Sequence, residues 1–108
     1  MNPDQGYVTA ERPGASAEAP TLFLFHGTGG DEHQFLDLAT ELRPDTRRIG
    51  LRGDVSEGGA LRYFRRLAEG RYDMQDLARA TARVASFVAA TAPAGERLAL
   101  GYSNGANI

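Results

Sequence analysis

The stretch Leu98-Ala99-Leu100-Gly101-Tyr102-Ser103-Asn104-Gly105 decides the fold of this 108-residue chain. A short apolar run leads into a Gly-x-Ser-x-Gly pattern, which is typical of a buried strand that turns sharply into a helix. The residue at the apex of such a turn has a strained backbone, and its neighbours two positions away must be small because strand and helix pass close together. Gly101 and Gly105 meet that demand, so we expect Ser103 to protrude at the edge of a sheet.

Composition limits the classes of protein that this chain can be. It is 42% hydrophobic and 24% charged, with a formal net charge of −2, which favours neither nucleic acid nor anionic membranes as partners. There is no cysteine, which excludes disulfides, thiolate metal sites and a cysteine nucleophile. The first twenty residues lack the apolar core of a signal peptide, and the longest apolar run, 22–25, is too short to cross a bilayer. We therefore expect a cytoplasmic protein.

The apolar runs predict the strands of a mostly parallel sheet. Thr21-Leu22-Phe23-Leu24-Phe25 has no polar alternation and is typical of a strand buried on both faces. Weaker patterns predict strands at 6–10, 47–51 and 97–101. The order of strands and helices indicates an α/β fold, with helices flanking the sheet.

Two helices are expected between these strands. The first is predicted to be capped by Asp31, with Gln34 completing an approximate capping box, and to end at Pro44. The second is predicted from Asp73 to Ala92. A further short helical turn is expected at 61–67. The apolar face expected for the first helix comprises Phe35, Leu38, Ala39 and Leu42, and that for the second comprises Met74, Leu77, Thr81, Val84, Ala85 and Val88.

The loop His26-Gly27-Thr28-Gly29-Gly30-Asp31 supplies a partner for Ser103. Attack of a serine on an ester forms a tetrahedral oxyanion, which needs hydrogen-bond donors that are fixed beforehand. In serine hydrolases whose nucleophile lies at such a strand-to-helix turn, which is called a nucleophile elbow, one donor is the N–H of the residue after the nucleophile, here Asn104. The second comes from a glycine-rich loop after an earlier strand, where Thr28 is best placed.

A nucleotide-binding interpretation of the same loop is disfavoured. Glu32 occupies the place of the third glycine of a Gly-x-Gly-x-x-Gly motif, and no Gly-Lys-Ser/Thr follows. Asp31 and Glu32 would also repel an anion at the helix N-terminus. We therefore expect no nucleotide cofactor.

Neither histidine is expected to act as the general base. In serine hydrolases with a nucleophile elbow, the three residues of the catalytic triad follow the order Ser, then Asp or Glu, then His along the chain. His26 and His33 both precede Ser103. We expect His26 to stiffen its loop through a backbone hydrogen bond and His33 to be a solvated helix residue. Two histidines without suitably spaced acidic ligands also make a poor metal site, so no metal is expected.

Tyr63, Phe64, Arg65 and Arg66 lie in a segment with no clear secondary structure and have two interpretations. They either line a substrate cleft, or the two aromatic residues cover the hydrophobic core while the two arginines face solvent.

Together these motifs resemble the N-terminal half of an α/β-hydrolase of the phospholipase/carboxylesterase (acyl-protein thioesterase-like) family, bacterial carboxylesterase type. The resemblance is carried by residues 24–32, Arg52-Gly53, residues 62–66 and residues 101–107. It implies that Ser103 is the nucleophile, that Thr28 and Asn104 form the oxyanion hole, and that the substrate is a small ester cleaved without a cofactor. Thioesterase or lysophospholipase activity is an alternative within that class.

The chain differs from that family in one large respect. Family members continue with further strands and with the triad Asp and His, which are absent from these 108 residues. We therefore expect residues 1–108 to be part of a single, incomplete α/β-hydrolase domain, truncated after the elbow and inactive alone, because a serine without a base is a poor nucleophile. The alternative from another class is a catalytically silent fragment or partner-binding piece. The sequence does not define the oligomeric state.

Overall fold

A computed structural model describes residues 6–68 and 71–108. Eight strands, two helices and a terminal 3₁₀ turn are present in those ranges. In chain order they are β1 (Thr9–Arg12), β2 (Thr21–Phe25), α1 (Leu36–Leu42), β3 (Arg47–Leu51), β4 (Val55–Glu57), β5 (Ala60–Arg62), β6 (Arg66–Ala68), β7 (Arg71–Tyr72), α2 (Met74–Thr91), β8 (Arg97–Gly101) and the 3₁₀ turn (Ser103–Asn107).

The main sheet has four strands in the order β1-β3-β2-β8. β2 is parallel to both β3 and β8, and β1 pairs with β3 antiparallel. Phe25 is level with Leu51 and with Gly101, so the loops after all three parallel strands leave the same edge of the sheet. The mostly parallel sheet and three of its strands are as predicted, whereas the strand expected at 6–10 begins at Thr9 and continues to Arg12.

A hydrophobic core lies on each face of the sheet. On one face, Phe23 and Phe25 pack in one cluster with Val84 and Phe87 of α2. On the other face, Leu22 and Leu24 pack with Leu36 and Ala39 of α1. All five residues of β2 are consequently buried, as its unbroken apolar run predicted. In the described part of the chain, no helix is long and apolar enough to cross a membrane.

Helix α1 differs from its prediction in its start and in its buried face. It begins at Leu36, because Asp31 instead accepts a hydrogen bond from the N–H of His33 (2.8 Å) and Gln34 bonds to the loop at Gly27. Leu36 and Ala39 are buried, whereas Leu38 and Leu42 are 42% and 60% exposed. The capping box was therefore wrong. Of the predicted apolar face, Ala39 and Phe35 do pack against the core whereas Leu38 and Leu42 do not, and the helix ends before Pro44 as predicted.

Helix α2 matches its prediction closely. Asp73 is the N-cap, and its Oδ1 accepts a hydrogen bond from the N–H of Asp76 (3.1 Å). The buried stripe is rotated slightly from the predicted one, since Ala80, Val84 and Phe87 face the core while Met74 is exposed.

The irregular segment after β3 forms two small antiparallel hairpins, β4–β5 and β6–β7. The helical turn predicted at 61–67 was wrong. Residues 60–62 form β5, which pairs with β4, and residues 66–68 form β6, which pairs with β7. A Cβ on Gly53 would lie 2.5 Å from the carbonyl carbon of Arg62, so this glycine permits the first hairpin to pack close to the end of β3.

Candidate active site

Ser103 lies at a sharp turn between β8 and the 3₁₀ turn. It is the one non-glycine residue in the described ranges with positive φ, at 56°, and its side chain is exposed. Such a backbone costs roughly 1–3 kcal/mol and persists only where the surrounding structure holds it. The turn is held by two hydrogen bonds, from Tyr102 N–H to the carbonyl of Phe25 (3.1 Å) and from Gly105 N–H to the carbonyl of Tyr102 (3.0 Å).

The two flanking glycines are required by close backbone approach. A Cβ on Gly101 would lie 2.8 Å from the carbonyl oxygen of Gly105. A Cβ on Gly105 would lie 2.5 Å from the carbonyl oxygen of His26 and closer still to that of Phe25. Backbone atoms cannot move aside as a flexible side chain does, so both positions need glycine.

The glycine-rich loop after β2 is anchored through His26, whose side chain is buried. Its Nε2 accepts a hydrogen bond from Gly53 N–H (2.8 Å), which leaves Nδ1 to carry the proton and donate to the carbonyl of Gly27 (2.7 Å). The predicted stiffening role of His26 is thus confirmed. Gly29 N–H also donates to the carbonyl of Leu61 (3.1 Å), which fixes the loop to β5.

A cleft of about 220 Å³ opens beside Ser103, and we call it the Ser103 cleft. It is lined by Thr28, Arg62, Arg66, Tyr72, Ser103 and Asn104. The three residues predicted to act together, Ser103, Thr28 and Asn104, therefore share one cleft. Within residues 6–68 and 71–108, the backbone N–H groups of Thr28 and Asn104 donate to no acceptor.

The side chain of Asn104 is 4% exposed and joins the turn to the interior. Its Oδ1 accepts a hydrogen bond from the N–H of Tyr63 (2.8 Å), which fixes the orientation of the amide. Its Nδ2 is buried and has no partner within the described ranges. A buried donor of this kind is costly unless a ligand or water satisfies it.

Tyr63 and Phe64 do not line the cleft, so the first of their two interpretations was wrong. Both are completely buried and belong to the core cluster on the α2 face. The Tyr63 hydroxyl accepts from His26 N–H (3.0 Å) and donates to the carbonyl of Leu51, and burial raises the pKa of this phenol. Tyr63 is therefore a structural support for the loop at His26.

Arg66, one of the candidates from the same segment, does line the cleft, together with Arg62 and Tyr72, which sequence reasoning missed. The Arg62 side chain is only 3% exposed, and its Nη1 donates to Thr28 Oγ1 (2.7 Å). Burial first, and then the guanidinium of Arg66, lower the pKa of Arg62. The available signal was the run of basic and aromatic residues at 62–66, but the pattern alone did not show which side chains turn inward.

Three potential metal ligands, Asp31, Glu32 and His33, lie together on the loop before α1, with one ligand atom from each within 4.8 Å. Both carboxylate oxygens of the buried Glu32 accept hydrogen bonds from Arg52 (2.8 Å each), and this interaction lowers the pKa of Glu32. The Glu32 carboxylate is thus already neutralised by a guanidinium, so we assign no metal here. His33 is 67% exposed, as expected, but it lies in the turn before α1 and not in the helix as predicted.

The sheet order and the helices on both of its faces define an α/β protein, and comparisons with known proteins find the same fold in carboxylesterase structures. The chain is 49% identical to protein Atu2452 of unknown function from Agrobacterium tumefaciens, over 98% of this chain and 52% of that one, with a TM-score of 0.89. It is 37% identical to the Bacillus cereus carboxylesterase, over 93% and 50% respectively, with a TM-score of 0.86.

A similar relationship holds to a curated protein, the putative hydrolase MhqD of Bacillus subtilis. The two are 45% identical over 92 residues, which cover 81% of this chain and 46% of the relative. No protein-family model matches the chain. The chain therefore spans about half the length of the relatives it matches, and its resemblance to the carboxylesterase type of hydrolase is confirmed over nearly its whole length.

Proposed function

We propose that this chain carries the nucleophile and the oxyanion hole of a serine hydrolase that cleaves carboxylic esters. The observation that supports this most is the meeting of Ser103 with Thr28 and Asn104 in one cleft, where both backbone N–H groups lack an acceptor in the described part of the chain. In the proposed reaction the Ser103 hydroxyl attacks the ester carbonyl. The two N–H groups stabilise the oxyanion, the alcohol leaves, and water then hydrolyses the acyl-serine.

The proposed nucleophile needs a general base, and within residues 6–68 and 71–108 neither histidine is free to act as one. Both ring nitrogens of His26 are engaged with backbone groups, and His33 lies next to Asp31 and Glu32. We therefore propose that the acid and base of the triad come from polypeptide outside residues 1–108, consistent with relatives of about twice this length. Without them, only the oxyanion hole and binding contribute to catalysis, so residues 1–108 alone are expected to be inactive.

Labelling with a fluorophosphonate tests the nucleophile directly. A polypeptide that contains residues 1–108 together with the triad acid and base should be labelled, and Ser103→Ala should abolish the label. Ser56→Ala, which changes an exposed serine in β4, is the matched control and should be labelled like the parent. Persistent labelling of the Ser103→Ala protein would refute the assignment.

The need for an external base has its own test. Purified residues 1–108 should not hydrolyse p-nitrophenyl acetate above the rate of the Ser103→Ala variant. Ser103-dependent turnover by that chain would overturn the proposal. Parallel assays with an oxygen ester, a thioester and a lysophospholipid would decide between the esterase and its alternatives.

A further inference from the structure

Arg62 is a buried guanidinium that lies over the ring of Phe64, and its ion pair within the described ranges is longer than a hydrogen bond. Its Nη1 and Nε donate to neutral acceptors, Thr28 Oγ1 (2.7 Å) and the carbonyl of Phe64 (3.0 Å). The nearest carboxylate is that of Glu57, whose Oε2 lies 3.6 Å from Nε, and Glu57 is held more closely by Arg66 at 2.8 Å. Buried charges are normally paired at hydrogen-bond distance, so this arrangement leaves Arg62 able to receive an anion.

A second observation points to a bound group at the same place. The Nδ2 atom of Asn104 is a buried donor without a partner in the described ranges, and Asn104 lines the Ser103 cleft together with Arg62. The Nη2 atom of Arg62 also has no protein acceptor within those ranges and, unlike Asn104 Nδ2, it is not closed off from solvent. Donors without a protein acceptor therefore come from two side chains of one small cleft, as expected for a site that binds acceptor oxygens.

We propose that the Ser103 cleft binds esters that carry a second, anionic carboxylate group, and that Arg62 determines this specificity by receiving that carboxylate. The proposal rests on the proposed function and names its substrate class. Arg62 is hydrogen-bonded to Thr28, which would also supply an oxyanion N–H, so the carboxylate lies beside the reacting carbonyl. A planar guanidinium with a free N–H suits a carboxylate in geometry as well as in charge.

A purely structural role for Arg62 makes a different prediction. If Arg62 only held Thr28 and the carbonyl of Phe64 in place, the cleft would bind charged and neutral esters of the same shape equally well. The decisive readout is therefore the difference between two ligands that differ only in a negative charge.

Binding to residues 1–108 carrying Ser103→Ala measures that difference without turnover. Backbone amide NMR would follow titration with monomethyl succinate, which has its carboxylate on the acyl side, and with the neutral dimethyl succinate. A second pair, acetoxyacetate and its methyl ester, places the carboxylate on the alcohol side. We expect the charged member of at least one pair to bind about ten- to a hundredfold more tightly, as for one charge-assisted hydrogen bond, and to shift the amides of Thr28 and Asn104. Equal binding within both pairs, or no binding, would overturn the proposal.

Variants then assign the effect to Arg62. Arg62→Gln should remove the preference for the charged ligand, and Arg62→Lys should keep part of it. Arg12→Gln, which removes the same charge from β1 at the opposite edge of the sheet, should keep all of it. A preference that survives in a folded Arg62→Gln protein would contradict the assignment. If that variant does not fold, the wild-type ligand pairs and Arg62→Lys still decide the question.

Failure of this inference is distinguishable from failure of the proposed function. Fluorophosphonate labelling at Ser103 without any preference for charged ligands would refute the carboxylate site and leave the hydrolase standing. A carboxylate preference that depends on Arg62, without labelling at Ser103, would support the site and refute the nucleophile.

Discussion

The side-chain oxygen of Asn104 accepts a hydrogen bond from the backbone N–H of Tyr63, at 2.8 Å, and so ties the residue after Ser103 to a completely buried position. The contact joins two segments that are 41 residues apart. The backbone of Asn104 is therefore held in position by this side-chain contact as well as by its connection to β8.

Asn104→Ala should lower the free energy of unfolding by about 1–3 kcal/mol, because the N–H of Tyr63 would remain buried without an acceptor. Urea denaturation measures the loss. Asn107→Ala removes an exposed amide in the same 3₁₀ turn and should cost clearly less. Equal losses in the two variants would show that the Asn104 contact contributes little.

Gly105→Ala should destabilise the protein by about 1–3 kcal/mol or more, since the new Cβ would meet the backbone oxygens of Phe25 and His26. Gly58→Ala is the matched control. Unlike Gly105, Gly58 has a positive φ, at 57°, but nothing lies within 4 Å of its Cβ position, so only conformational strain of about 1 kcal/mol is expected. Thermal or urea unfolding of both proteins tests the order, which the opposite ranking would disprove.

The Glu32–Arg52 ion pair should make stability dependent on pH. Arg52 lowers the pKa of Glu32 below its ordinary 4.5, so the pair stabilises the fold above that value and loses its effect as pH falls through the lowered pKa. Glu32→Gln should therefore lower the free energy of unfolding by about 1–2 kcal/mol at pH 7 and by progressively less below pH 4.5. The loss is kept modest because Arg52 is partly exposed and solvent screens its charge. A difference that stayed constant between pH 7 and pH 3 would contradict this assignment.

Asp73→Ala should cost about 0.5–2 kcal/mol, because it removes the acceptor that caps the first turn of α2. Asp73→Asn keeps a capping oxygen and should retain most of that stability. Chemical denaturation monitored by helical circular dichroism compares the two. The capping role would be excluded if both variants lost the same amount.

The sequence by itself determined the features that depend on neighbours along the chain. The unbroken apolar run at 21–25 predicted a fully buried strand, Asp73 predicted the start of α2, and the two glycines around Ser103 predicted a close backbone approach. Each of these signals is local, since it needs only the residue type and its neighbours within about one turn.

Only the tertiary structure decided which side chains turn inward where the backbone follows distant partners. The loop before α1 lies against β3, where the carbonyl of Glu32 leaves no room for a Cβ on Gly50. Arg62 is buried beside Thr28 while Tyr63 enters the core, because the 52–62 segment folds back onto the loop at His26. Contacts between residues 18 to 41 positions apart leave no periodic trace in a sequence, so the lining of the cleft appeared only once the chain was folded.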